Sequence, residues 1–332
     1  MRRTANTRTA YYYLLPALFV MAVITFYPLF YQIWMSFTDY NVRSLNPNSA
    51  VYQAPAWIGI KNYLDILLPE GRLLSLMPNM HFWRLLYFNL FWTFSNVIFH
   101  VTLGILIAVL LNTKGLWLKG VYRAIFILPM VIPSLVIATT WRNMYDPQYG
   151  AINQMLASIG ALFNIPPETF HIRWIDQIEP PIKWFLPMMP LPLSYYAMLF
   201  ANIWLGWPFM TVVATGALAS VPEDLYEAAS IDGANGRQQF WNITIPMIRP
   251  AMIPAAMLGM ITTFNLFHIS YFLSGGGPLR QTEIMVTTAY RLVNENREYG
   301  LAAAFSVIIF FVLLIITLLT NRVTRATESY DE

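Results

Sequence analysis

The chain has no cysteine, so it holds no disulfide framework, thiol nucleophile or cysteine metal site. Charge is nearly as scarce. Asp, Glu, Lys and Arg make up 11% of its 332 residues, against about 25% in a soluble globular chain. No polar stretch is long enough to fold as a separate soluble domain. The net charge of +3 is small and dispersed, which argues against a nucleic-acid partner. No phosphate-cradling glycine loop, metal-spaced cluster or catalytic triad is present in the sequence.

What fills the chain instead is apolar, at 57% hydrophobic, and it is arranged in runs. Residues 11–37, 85–111, 124–141, 193–219, 251–273 and 301–320 lack charge. About 20 apolar residues cross a bilayer, so these runs predict an all-α membrane protein with six transmembrane helices in one domain over residues 1–332. The first run is too long for a signal-peptide core and is read as an uncleaved span, with Tyr11, Tyr12, Tyr13 and Trp34 as interfacial aromatics. Pro129 and Pro133 interrupt the third. The proline-rich stretch 184–192 before the fourth is expected to be re-entrant or interfacial. Gly275-Gly276-Gly277-Pro278 ends the fifth. Between the runs, a short amphipathic helix is expected over residues 62–68, and a helix lying along the surface over residues 151–162.

As drawn, the six runs contain no Lys, Arg, Asp or Glu. Proton- or sodium-coupled carriers keep ionisable groups at membrane depth. An enzyme acting on lipid-linked sugars needs an acid and a base there. Only His100 and His268 remain inside, and each is expected to pack helices through a hydrogen bond.

The polar segment 220–250 lies between the fourth and fifth runs and reads as a two-part hairpin. Ser220 is placed as N-cap, with Glu223 three residues on as in a capping box. The first helix stops near Gly233, and Asn235-Gly236 forms a turn. A second short helix starts near Arg237 and is broken by Pro246 and Pro250. Glu227, Ala228, Ala229, Asp232, Gly233 and Ala234, followed by Phe240, Ile243 and Pro246, resemble the EAA loop. That loop marks permease subunits of binding-protein-dependent ATP-driven importers. The resemblance implies the type I importer permease (MetI-like) fold, with this hairpin as the coupling helix that docks on an ATPase. ATP and Mg are then bound by that partner, and this chain carries no cofactor, metal or catalytic residue of its own. The implied partners are a second permease of similar fold, two cytosolic ATPase subunits, an external sugar-binding protein and membrane lipid. Both termini are expected on the cytoplasmic side of the cell membrane, in keeping with the short basic flanks of residues 1–10 and 112–123.

The neutral polar residues within the runs suit a sugar, which needs uncharged donors and acceptors beside flat aromatic surfaces. Asn202-Ile-Trp204-Leu-Gly206-Trp207-Pro208-Phe209 is one such set, and Phe264, Asn265, Phe267 and Tyr271 form another. With Leu128 to Ser134, these segments resemble the MalF type, the larger permease of maltose and maltooligosaccharide importers. That resemblance implies sugar contacts at Ser134, Asn202, Gly206, Phe209, Thr263 and Asn265. Met130 and Phe209 stand where that type has tyrosines, and Thr263 and Leu266 where it has asparagines, so the implied site is less polar. The expected cargo is a di- or oligosaccharide, with another polyol or a sugar phosphate as the alternative.

Overall fold

Scarce charge and long apolar runs leave the backbone one economical way to satisfy its own N–H and C=O groups in lipid, which is helix. The structure, a computed structural model, describes residues 2–68, 71–113, 115–181 and 191–324. Among them, the extended elements are helices, with an isolated antiparallel bridge between Thr38 and Trp57. Among the described residues, five helices are long and apolar enough to cross a membrane, and one bent pair, Lys119–Val131 with Ser134–Met144, passes the same test together and makes a sixth if it crosses as one span. The expected re-entrant stretch 184–192 falls almost wholly outside the described residues.

The chain divides into two compact units, Met1–Pro78 with Thr288–Val312, and Asn79–Thr287 with Leu313–Glu332. In the first, the spanning part of α1 (Tyr11–Met35) buries none of its side chains within the chain. Its end is fixed by α2 (Lys61–Leu67), close to the short helix expected there. Buried Asn62 donates to the carbonyls of Ser36 (2.9 Å) and Thr38 (2.8 Å), which the end of α1 leaves without helical donors. Trp57 stacks on Phe37 at 5.2 Å. Gly300 sits where an added Cβ would lie 2.2 Å from the Thr38 carbonyl oxygen. Arg72 pairs with Glu298 at 2.5 Å. Burial pushes the Glu298 carboxyl above its ordinary range, while Arg72 opposes that shift.

The second unit is built on α3 (Phe82–Asn112), the bent pair α4 (Lys119–Val131) and α5 (Ser134–Met144), the short helix α6 (Ala151–Ala161) and α7 (Leu193–Ala219). It continues through the hairpin helix α8 (Glu223–Ile231) into α9 (Gly236–Ser274). α3 and α7 pack along much of their length. Gly104 lets α7 approach so closely that a Cβ there would meet Met210 Cβ at 2.4 Å. One core cluster holds Phe88, Trp92, Tyr195 and Met198; another holds Ala108, Met210, Ala214 and Ile248. The 95° bend between α4 and α5 falls at Ile132-Pro133. Proline forces the preceding residue out of the helical region, and Ile132 is extended at φ −78°, ψ 130°.

Two π-turns, Ala22–Phe26 and Phe240–Thr244, each end two residues before a proline, Pro28 and Pro246. In each, the last N–H before the proline reaches five residues back, from Tyr27 to Ala22 and from Ile245 to Phe240. The wider turn accommodates the missing donor. This corrects the expectation that Pro246 and Pro250 break the chain: α9 runs through both. It loosens instead at Asn265 and Leu266, where the carbonyl of Phe264 accepts from Asn89 Nδ2 at 3.2 Å. The same Asn89 accepts the backbone N–H of Met285 through Oδ1 at 2.7 Å. The segment 280–298 carries the helix α10 (Met285–Asn294). The last span, α11 (Tyr299–Arg322), includes an arginine, and Arg84 and Arg249 lie within the crossing helices α3 and α9. The spans are therefore longer than the charge-free runs, because the helices continue past the hydrocarbon core.

Candidate functional site: a coupling hairpin and a mid-helix cavity

The hairpin geometry is over-determined by backbone bonds. α8 ends with Asp232 as C-cap and Gly233 at φ +83°. Gly233 N–H donates to Ser230 O at 3.1 Å and Ala234 N–H to Ala229 O at 2.9 Å, the paired closure of a Schellman motif. The next residue opens the following helix with a capping box. Asn235 Oδ1 accepts from Gln238 N–H at 3.0 Å, and Gln238 Oε1 accepts from Asn235 N–H at 2.8 Å. The capping box thus belongs to Asn235, not Ser220. Ser220 closes the preceding helix, its Oγ–H donating to Ala217 O at 2.7 Å, and Pro222 stands at the N-cap position of α8 without a side-chain cap bond.

Cross-links hold the two halves together. Gln239 Nε2 donates to Ser230 Oγ at 2.9 Å, and the Tyr226 and Thr244 hydroxyls lie 3.0 Å apart. The outward surface mixes small and apolar residues with charged ones. Ala228, Asp232 and Gly233 are exposed, Ile231 is 86% exposed, and a Cβ at Gly233 would meet nothing within 4 Å. Ala229 and Ala234 are half-buried on the inner side. Glu227 lines a cleft of about 520 Å³ with Glu223, Tyr226 and Lys119, beside the segment that joins α3 to α4.

The second feature lies between α3, α7 and α9. Asn202, Gly206, Phe209 and Thr263, together with His100, Leu258 and Thr262, line one cavity of about 220 Å³. The structure thus brings four of the six expected sugar contacts together. Ser134 stands at the first turn of α5 beyond the bend, and Asn265 sits at the loosened point of α9, where its Nδ2 donates to Ile261 O at 3.2 Å; neither lines the cavity.

The cavity wall rests on a buried seam. Asn202 Nδ2 donates to Asn96 Oδ1 at 2.7 Å, and Asn96 Nδ2 donates to Trp92 O at 2.7 Å. His100 Nε2 lies 2.9 Å from the Asn202 carbonyl oxygen and must donate there, since a carbonyl only accepts. One turn along, Gly206 makes room for the imidazole: a Cβ would fall 2.2 Å from its Cε1. His100 is thus the hydrogen-bonded packing residue expected from sequence. Several other polar residues of the spans bond to backbone carbonyls of their own helix, as Thr93 does to Asn89, Thr211 to Trp207 and Thr262 to Leu258. Asn89 and Gly104, which brace this seam, carry no motif that would single them out in a sequence.

Residues 100–328 match the family model described as the binding-protein-dependent transport system inner membrane component. The chain belongs to that family. Within it, the chain is 30% identical to the galactooligosaccharides transport system permease protein GanP of Bacillus subtilis, covering 94% of this chain and 69% of the relative. It is also 30% identical to the trehalose/maltose transport system permease protein MalF of Thermococcus litoralis, covering 96% and 95%. The fold is shared with the crystal structure of a bacterial ABC transporter involved in the import of alginate, at a TM-score of 0.72 and 21% identity, covering 99% of each chain. This family member is a multi-pass membrane transport permease, not an enzyme.

Proposed function

We propose that the chain is one permease subunit of an ATP-driven importer whose cargo is a di- or oligosaccharide. The carrying observation is the cavity itself. Its wall is mostly apolar, with Asn202, Thr262, Thr263 and His100 as its polar members and Phe209 as its ring, and none of its lining residues is a Lys, Arg, Asp or Glu. An uncharged wall with a ring face and a few neutral polar groups suits a neutral polyhydroxylated solute better than an ion. A sugar phosphate would find no cation, which separates it from a neutral sugar. The relatives named above carry galactooligosaccharides and trehalose or maltose in their printed names, which supports the same class.

At about 220 Å³ the cavity is smaller than the roughly 300–1,000 Å³ of a pocket that encloses a drug-sized ligand. It is half a site, completed by a second permease of similar fold. Asn202, Gly206, Phe209 and Thr263 contact the sugar directly, and Ser134 and Asn265 join on closure. Glu227, Ala228, Ala229, Asp232, Gly233 and Ala234 form the surface that docks on a cytosolic ATPase, two of which serve the permease pair. The hairpin and both termini are therefore cytoplasmic, and an external binding protein delivers the sugar. ATP and Mg are bound by the ATPase. Closure of its dimer pushes both hairpins and rocks the helices between inward- and outward-open states around the sugar.

The test is uptake of radiolabelled maltooligosaccharides and galactooligosaccharides in cells with and without this chain, paired with native mass spectrometry of the purified complex. Uptake that requires this chain and a separate ATPase supports the reading. Uptake that persists when the co-purifying ATPase is deleted overturns it.

A further inference from the structure

The helix α6 presents a broad apolar surface outward. In a water-exposed helix the apolar stripe faces the core and polar groups face outward. Here Asn153 is buried, while Gln154 and Ser158 share the outward side with large apolar residues. Asn153 is 4% exposed, donating through Nδ2 to Pro147 O at 3.1 Å and Ile172 O at 3.0 Å, and accepting from the Trp174 indole at 2.8 Å. Gly160 lies against the ring of Phe170, where a Cβ would fall within 2.3 Å. The outward face carries Met155, Ile159, Leu162 and Phe163, the last two 81% and 73% exposed. The helix is pinned in this orientation by its own hydrogen bonds, so the exposed apolar face is not a consequence of slack packing.

Three observations decide what covers that face. No charged residue occurs from Pro147 through Pro167, a run containing the whole of α6. The helix starts seven residues after the end of α5, the second half of the bent pair, so it follows directly on the end of that apolar pair. Tyr149, 80% exposed, flanks it, in the manner of aromatics at a membrane–water boundary. We infer that α6 lies in the interfacial layer of the bilayer, at the end of the bundle opposite the hairpin, with Met155, Ile159, Leu162 and Phe163 inserted among lipid chains. Such helices bury their apolar face about 5–10 Å into the boundary between headgroups and acyl chains. The function is to fix the level of the extramembrane segment 145–181 relative to the lipid.

The absence of native cysteine makes the test clean. Phe163→Cys is labelled with an environment-sensitive fluorophore in the full-length chain, purified with its co-purifying subunits and placed in phosphatidylethanolamine/phosphatidylglycerol nanodiscs. Exposed Arg173→Cys is the control from the same segment. Doxyl-labelled lipid is expected to roughly halve the Phe163→Cys emission while aqueous iodide leaves it nearly unchanged, with the reverse order at Arg173→Cys. Quenching of the Phe163→Cys probe by iodide overturns the inference in favour of a water-exposed face. Protection from both quenchers overturns it in favour of a covering protein.

Discussion

Asn202 donates its side-chain amide to Asn96 across the seam between α7 and α3, at 2.7 Å. The bond holds the cavity wall at the height where Gly206 and His100 meet, so the same amide proposed to read the sugar also locates the helix that carries it. Asn202→Ala is expected to impair transport while the complex still assembles. A double-mutant cycle with Asn96→Ala, read by thermal unfolding in detergent, is expected to give a coupling of about 0.6 kcal/mol and no more than about 1.7 kcal/mol, the range for hydrogen bonds within membranes. Wild-type transport by Asn202→Ala would place the sugar contacts elsewhere.

Gly206→Ala forces a methyl into the His100 ring. Overpacking of this kind costs about 1–3 kcal/mol, and it also strains the Nε2 bond to the Asn202 carbonyl. In a His100→Ala background the obstacle is gone, and alanine outranks glycine in a helix interior by about 1 kcal/mol. The substitution is therefore expected to destabilise the natural chain and to stabilise the His100→Ala chain. Thermal unfolding of the four proteins reads the change of sign.

Gly233 has a positive φ and open space beside it, so its requirement is conformational and not steric within this chain. Gly233→Val should cost about 1–2 kcal/mol of local backbone strain and turn the outward surface of the hairpin. Asparagine tolerates that region, so Gly233→Asn should retain more function. The expected order for ATPase co-purification and sugar-stimulated hydrolysis is Gly, then Asn, then Val. Equal activity of all three would sink the assignment of this turn to ATPase docking.

Ser230 is exposed on the hairpin, and a single cysteine there reports its side. Ser230→Cys is expected to react with an impermeant maleimide only in inverted vesicles. Labelling from outside intact cells would reverse the proposed topology.

Much of this could be read from residues because lipid allows few alternatives. The limits expected for α7, residues 193–219, are those observed, because Pro192 and the polar segment after Ala219 bound an uninterrupted apolar run. The same logic set the spans too short elsewhere, since Arg84 and Arg322 extend a helix once their heads lie beyond the hydrocarbon core. Ser220 and Asn235 both satisfy the capping-box pattern, and only backbone geometry shows that Asn235 begins a helix while Ser220 ends one. The pinning of α9 by Asn89 joins residues 175 positions apart, a relation no local pattern encodes. The resemblance to the MalF type implies Ser134 and Asn265 as readily as Asn202, because cavity lining depends on which way a helix is turned.

That dependence gives the π-turn at Phe240–Thr244 a further meaning. A π-turn holds one residue more than the α-helical turn it replaces, and one residue is worth about 100° of rotation about the axis. The turn sets the phase between the hairpin and everything above it in α9. Deleting Asn242 would leave Pro246 inside an ordinary α-helical turn, bending the helix there, and would turn Leu258, Thr262 and Thr263 about a quarter-turn relative to the ATPase-docking surface. Both ends would keep their local structure and remain joined by one helix, yet a push on the hairpin would arrive at the wrong face. Such a variant is expected to fold, dock and hydrolyse ATP while delivering little sugar, a separation that paired hydrolysis and uptake measurements would expose.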